Sequence, residues 1–284
     1  MIKFVNAKIN LGLQVLRRRP DGYHDLSTIF IPVGMNCGMH EMPGNLCDIL
    51  EITPAIQDSL TVTGSDFSCM TEQNLVWKAL VAYRKKVPAL PPVAITLEKH
   101  LPSGAGMGGG SADAAFALLM LDELAGKPLA PQELSHIALS LGADVPFFLI
   151  NTPCLASGIG EILSPVKIPQ LTEKWIVIIK PSEGISTSQA FGLITPHVPE
   201  VALTDAIQCP MQEWKHVITN DFERSMFTIH PDLSNLKQFL YDHGALYASL
   251  TGSGSAFFGI FGDEQAARRC AENAPTPFAT FTKL

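Results

Sequence analysis

Along the first 16 positions apolar residues (Ile2, Phe4, Val5) are interrupted by Asn6, Lys8 and Asn10, and this near-alternation predicts one or two strands. Pro20-Asp21-Gly22 is turn chemistry, and beyond Tyr23-His24 the run Ile29 to Val33 predicts a further strand. Between 74 and 86 the period lengthens. Leu75, Ala79, Leu80 and Tyr83 fall at helical spacing, and the prolines of 88–92 end that helix. Val93 to Leu101 reads as a strand stopped by Pro102, and a helix from Ser111 to Leu124 carries Ala114, Leu118, Leu121 and Leu124 on one face. A further helix spans 131–141, opening on Pro131, with Gly142 placed as its C′ residue. In the second half Trp175 to Lys180 is a buried-type strand and Asp232 to Asp242 a helix. ALYASL and SAFFGIF form a hairpin-like pair around Thr251-Gly252-Ser253-Gly254, and 263–273 is a final helix. This order predicts an α+β protein of two domains, 1–155 and 156–284, with a soft boundary near 155.

Composition narrows the class. A chain of 284 residues, 46% hydrophobic and 17% charged, has the material for a sizeable core. The net charge of −7, with Lys and Arg scattered apart from Arg17–Arg19, argues against a nucleic-acid partner. Small anions remain open as ligands, because backbone dipoles bind them without net positive charge. The six cysteines lie far apart with no C-x-x-C pair, which reads as reduced buried thiols. No run approaches the ~18 apolar residues of a membrane span. The expectation is a soluble cytoplasmic protein without a membrane partner, its oligomeric state open between monomer and homodimer.

Five glycines crowd seven positions: Gly104, Gly106, Gly108, Gly109 and Gly110. Each costs about 0.5–1 kcal/mol in a regular element, so such density suits a backbone wrapped closely around a ligand. The helix that follows aims free N–H groups and its positive dipole end at whatever the loop encloses, and phosphate is the natural occupant. The run GAGMGG satisfies the dinucleotide pattern G-x-G-x-x-G, but the acids about 20 positions on, Asp122 and Glu123, fall in a helix end, not at the end of a second strand. GAGMGGGS nearly satisfies the Walker A pattern, but Gly110 stands where its lysine belongs. Charge must therefore be neutralised from elsewhere.

A kinase acting on an alcohol needs a group to accept the hydroxyl proton. Asp144, between a helix end and the apolar run VPFFLI, is the candidate base, and Lys8, set in an otherwise apolar strand, is the candidate cation beside it. Spacing alone leaves the plainer readings open: a helix cap for Asp144 and a solvent-facing lysine.

The strings AKINLGLQVLRRRPDGYHDL, LPSGAGMGGGSADAA, LGADVPFFL and LTGSGSAFFGIF, spread from residue 7 to residue 261, resemble the sequence blocks of the GHMP kinase superfamily. DGYH combined with LGADVPFF resembles a branch whose acceptor carries a cytidine diphosphate group. The resemblance implies an S5 domain 2-like N-terminal domain that binds ATP and a ferredoxin-like C-terminal domain. It implies transfer from ATP, with Mg2+, to the 2-hydroxyl of a cytidine-diphosphate-linked methylerythritol in non-mevalonate isoprenoid synthesis. Lys8 and Asp144 fall on the family's catalytic positions, with Asn10 in the substrate pocket. Pro102, Ser103, Gly104, Ala105, Gly106, Met107, Gly108, Gly109, Gly110, Ser111 and Ala112 match its ATP loop, Ser111 being a candidate metal contact. Tyr23 and His24 match the cytosine-binding pair, Thr187 and Phe191 the other side of that pocket, and Gly252 and Ser253 a glycine turn that closes the site.

Three departures stand out against that pattern. Met107 replaces a usual Leu, Ala112 replaces a usual Ser, and Asn151-Thr152-Pro153 follows VPFFLI where glycines are common. Rival readings are a homoserine or mevalonate kinase, whose substrates carry no base, a nucleotide-dependent oxidoreductase, and a catalytically dead binding module.

Overall fold

The computed structural model describes residues 1–35, 46–64, 70–182 and 187–284. The first seven strands are β1 (Ile2–Arg18), β2 (His24–Val33), β3 (Cys47–Pro54), β4 (Ser59–Gly64), β5 (Val93–Lys99), β6 (Cys154–Ser157) and β7 (Ile162–Pro165). They form one sheet in the order β4-β5-β3-β1-β2-β6-β7, antiparallel except for the β4–β5 pair. This sheet runs to Pro165, ten residues past the expected boundary near 155. Four helices follow the sheet's course: α1 (Leu75–Lys86), α2 (Gly109–Leu124), α3 (Pro131–Leu141) and α4 (Val145–Ile150).

The second half begins with β8 (Trp175–Lys180). The short helices α5 (Thr187–Gly192), α6 (Leu203–Ala206) and α7 (Trp214–Val217) come next, then α8 (Asp221–Ile229) and α9 (Leu233–Asp242). The chain closes with β9 (Tyr247–Leu250), β10 (Phe257–Phe261), α10 (Glu264–Glu272) and β11 (Phe278–Lys283). The sheet order β11-β8-β10-β9, all antiparallel, with helices between the outer strand pairs, is the ferredoxin-like arrangement.

The buried strand residues divide among three apolar clusters. Val5, Leu50 and Ile95 pack against α1, α2 and α4, whereas Ala7, Ile9 and Leu11 pack with Ile176, Ile178 and Phe258 of the second sheet. In β8, Val177 and Ile179 face the other way, into a third cluster with Phe222, Leu236 and Leu240. A strand buried on both faces reads as an unbroken apolar run, which is what WIVIIK is. Asn74 caps α1 by accepting from Val76 N at 2.8 Å. No helix of the described residues is long and apolar enough to cross a membrane.

Several boundaries differ from expectation. β1 is one strand of 17 residues, kept continuous by two register shifts, the first at Gly12 with φ 69°. β2 begins at His24, because the turn before it closes early. Helix α2 begins at Gly109, so the last two loop glycines are already helical. Gly142 has φ 165°, extended and not left-handed, so it ends α3 without the expected left-handed cap. Strands β3, β4, β6, β7 and β11 and helices α4 to α8 were not foreseen.

Candidate active site

Glycines make the loop's shape, and two apolar side chains anchor it. Gly104, Gly106 and Gly108 have φ of 63°, 74° and 70°, so every second residue is left-handed. Between them Ala105 and Met107 point inward, each 2% exposed, into the cluster shared by the two sheets. A Cβ on Gly106 would lie 2.0 Å from the carbonyl oxygen of Thr251, so no other residue fits there. The loop lines a cavity of about 460 Å3 together with Asn74, Ser111 and Asp113. Ala112, expected on this wall, is fully buried in the helix layer instead, because the helix turn that exposes Ser111 directs the next side chain to the core.

Lys8 stands where this loop meets β1. It lies on the face opposite Ala7 and Ile9, and is 3% exposed. Its ammonium donates to Asn10 Oδ1 at 2.6 Å and to Gly106 O at 2.9 Å, and lies 3.4 Å from Asp144 Oδ2 and 5.0 Å from the centre of the Phe30 ring. Three oxygens around one cation satisfy the demand that a buried charge be paired and hydrogen-bonded. Asp144 occupies the N-cap position of α4, yet its side chain makes no capping bond. The carboxylate is turned to Lys8 and is 34% exposed, so one side of it faces an open cavity. Asn10 is fixed at both ends, its Nδ2 donating to Thr28 Oγ1 at 2.9 Å and its backbone N–H to Thr251 Oγ1 at 3.1 Å.

The open cavity measures about 1090 Å3 and shares Gly106 and Gly108 with the loop cavity. Lys8, Asn10 and Asp144 line its loop end, with Gly252 and Ser253. Tyr23, His24 and Phe191 line it farther out. Of these, Tyr23 is 62% exposed, and His24 is stacked on Phe191 with ring centroids 5.0 Å apart at 18°. Phe222 meets Phe191 edge-on at 4.8 Å. Thr187 opens α5, but its side chain lies outside the described residues. The structure therefore brings together every expected site residue except Ala112 and the undescribed side chain of Thr187.

Sequence reasoning missed two clusters. One is a buried triad: Lys99 bonds Asp48, and Asp113 at 2.7 Å, while Asp48 Oδ1 accepts from the N–H groups of His100 and Leu101 at 2.6 and 2.8 Å. This bolts the root of the glycine loop to β3 and α2. Burial pushes the Asp113 carboxyl up to about 8, with Lys99 pulling it down and Asp48 pushing it up. The other is Asn220-Asp221-Phe222-Glu223 at the start of α8. Asn220 accepts from Phe222 N at 3.0 Å, and Glu223 accepts from Ser249 Oγ at 2.9 Å and Leu250 N at 2.8 Å. A signal for it was present, since Asn followed by Glu three positions later is a helix-start pattern.

Comparison with known proteins gives the family. The family models for the N-terminal and C-terminal domains of GHMP kinases match residues 74–152 and 210–280. A 4-diphosphocytidyl-2-C-methyl-D-erythritol kinase of Parabacteroides distasonis is 44% identical over 261 residues, 92% of each chain. The chain belongs to the GHMP kinases, in the family of 4-diphosphocytidyl-2-C-methyl-D-erythritol kinases. A Bacteroides fragilis kinase of the same name is 44% identical and matches this kinase over 100% of both chains. A crystal structure of a 4-(cytidine 5'-diphospho)-2C-methyl-D-erythritol kinase superposes with a TM-score of 0.81 at 31% identity, covering 99% of this chain and 98% of that one. The mevalonate kinase of Methanococcus jannaschii, with a TM-score of 0.68 at 10% identity over 99% and 96%, shares the fold.

Proposed function

We propose that this GHMP kinase transfers the γ-phosphoryl group of ATP to the 2-hydroxyl of 4-diphosphocytidyl-2-C-methyl-D-erythritol, with Asp144 as base and Lys8 as its cationic partner. The observation that carries the reading is the 3.4 Å Lys8–Asp144 pair, set where the glycine-loop cavity meets the cavity lined by Tyr23, His24 and Phe191. ATP lies along Pro102 to Ser111, its phosphates against the loop and the N-terminus of α2. The cytosine base is held by Tyr23, His24 and Phe191, and the methylerythritol lies near Asn10.

The bond between the γ-phosphorus of ATP and the β,γ-bridging oxygen breaks, releasing ADP, as the acceptor oxygen bonds to that phosphorus and the acceptor proton passes to Asp144. Lys8 offsets charge on Asp144 and on the transferring group. The Lys8 bonds to Asn10 and Gly106 fix the ammonium before substrate arrives, so it need not reorganise during transfer. Mg2+ fits the loop wall. Ser111 and Asp113 line the same cavity, and Asp113 Oδ1 is buried without a hydrogen-bond partner; a hard cation would supply one and would favour the ionised carboxyl against the burial that raises its pKa. Bound there, Mg2+ would neutralise phosphate charge. Among the described residues no group of three or more His, Cys, Asp or Glu forms a metal cage, and a cation held mainly by ATP needs none.

The test is ADP release with 4-diphosphocytidyl-2-C-methyl-D-erythritol, homoserine and mevalonate offered in parallel. Turnover of the first alone is expected. Turnover of either base-free alcohol without the first overturns the reading.

A further inference from the structure

One side chain outside the expected site touches both of its ends. Asn220 is 2% exposed, and both polar atoms of its side chain are engaged. Its Oδ1 accepts from Phe222 N, and its Nδ2 donates to Leu250 O and to Gly252 O, each at 2.9 Å. Phe222 is the ring under Phe191, on which His24 is stacked. Gly252 belongs to the turn that closes the other end of the cavity. That turn lies hard against the glycine loop: a Cβ on Gly252 would come within 3.1 Å of the Gly106 Cα, and Thr251 Oγ1 donates to Gly106 O at 3.1 Å. Gly106 O also accepts from Lys8, the partner of Asp144. A continuous chain of contacts thus runs from the aromatic end through one carboxamide to the phosphoryl end.

We infer that Asn220 is a positioning residue that sets the register between the two ends of the cavity, so that an acceptor held at its base presents its hydroxyl to Asp144. The inference rests on the proposed acceptor, whose base and reacting hydroxyl lie at opposite ends of one molecule. Each end can bind its own ligand without the two bonds from Asn220 to Leu250 and Gly252. In-line transfer needs both ends at a fixed separation, and a misplacement of about 1 Å costs on the order of 10²-fold in rate.

Serine separates the two bonds, because it keeps an oxygen that can cap α8 and removes the N–H donors to Leu250 and Gly252. For the full chain and for Asn220→Ser and Asn220→Ala, turnover of 4-diphosphocytidyl-2-C-methyl-D-erythritol is measured below the unfolding temperature of each. Alongside it the affinities for CDP alone and for a non-hydrolysable ATP analogue alone are measured. Asn220→Ser is expected to lower kcat on the order of 10²-fold, the cost of a misplacement of about 1 Å, while each separate affinity moves less than about threefold. Asn220→Ala is expected to lose CDP affinity as well, since it also removes the cap beneath Phe222. Asn220→Thr repeats the test should the serine variant melt near the assay temperature. A kcat within twofold of the unaltered chain in the capping variant overturns the inference, as does CDP affinity falling in step with kcat. Failure of the unaltered chain to bind CDP or to turn over the acceptor overturns the proposed function, and this inference with it.

Discussion

The glycine-loop wall and the aromatic wall of the site are built by opposite means. On the loop wall the main chain does the holding: left-handed glycines at alternate positions turn the backbone, and Ala105 and Met107 sink into the core to hold it. The loop itself comes from one stretch of about a dozen residues. The aromatic wall is made of side chains drawn from three places, the turn at Tyr23-His24, helix α5 with Phe191, and α8 with Phe222. On the loop wall an atom added at Gly106 collides with the backbone of the neighbouring turn, whereas on the aromatic wall the loss of a ring removes stacking surface. The two walls should therefore fail differently when altered.

The largest effect is expected where they meet. Asp144→Asn keeps the shape at the junction and removes the base, so kcat should fall by roughly 10²–10⁴-fold. Affinity for a non-hydrolysable ATP analogue should stay within about threefold, because the loop wall does not use that carboxylate. Near-normal turnover would remove Asp144 from the mechanism.

Gly106→Ala tests the loop wall. The added carbon would lie 2.0 Å from Thr251 O on a residue with φ 74°, so both the loop and the glycine turn must move. Strain of about 1–3 kcal/mol at such a site corresponds to a loss of roughly 5–150-fold. It should appear in kcat/KM for ATP together with a lowered unfolding temperature. An alanine variant with unaltered ATP kinetics would mean that the turn does not brace the loop.

How legible each wall was in the sequence follows from the same contrast. The loop is contiguous, its glycines have few structural alternatives, and its place between a strand and a helix was readable from Val93 to Leu124. The Lys8–Asp144 pair spans 136 positions of chain, and residue spacing left it as one option among plainer ones until the family resemblance was added. Of the support behind the aromatic wall, only the helix start marked by Asn220 and Glu223 was readable. Asn220 and Phe222 act through tertiary contacts, and no local period marks a carboxamide that bonds carbonyls 30 and 32 positions away. The triad of Asp48, Lys99 and Asp113 was hidden for the same reason. Each residue looks like an ordinary surface charge until β3, β5 and α2 are packed together.

Phe191→Ala tests the aromatic wall. Stacking on a base is worth about 1–3 kcal/mol, so KM for the cytidine-bearing acceptor should rise by about 5–150-fold with kcat changed much less. The contrast with Gly106→Ala would be sharp: one variant moves the acceptor's KM, the other the ATP term. Equal loss in both terms from Phe191→Ala would show that the ring props up the fold and does not hold the base.

The smallest effect is expected from Ala112→Ser, which restores a hydroxyl that the family pattern usually carries. If position 112 faced the phosphates, that hydroxyl would add a donor there and raise kcat/KM for ATP. In the structure Ala112 is fully buried against the helix layer, and its N–H bonds Gly108 O at 2.9 Å as the first closed turn of α2. A serine there has the carbonyl one turn back as its nearest acceptor, an arrangement that slightly destabilises and bends helices. Turnover should therefore stay within about twofold while stability falls by about 0.5–1 kcal/mol, a small fraction of a domain's total. A several-fold gain in kcat/KM for ATP would put residue 112 on the loop wall and move the start of α2, and with it the boundary between the wall made of backbone and the core that anchors it.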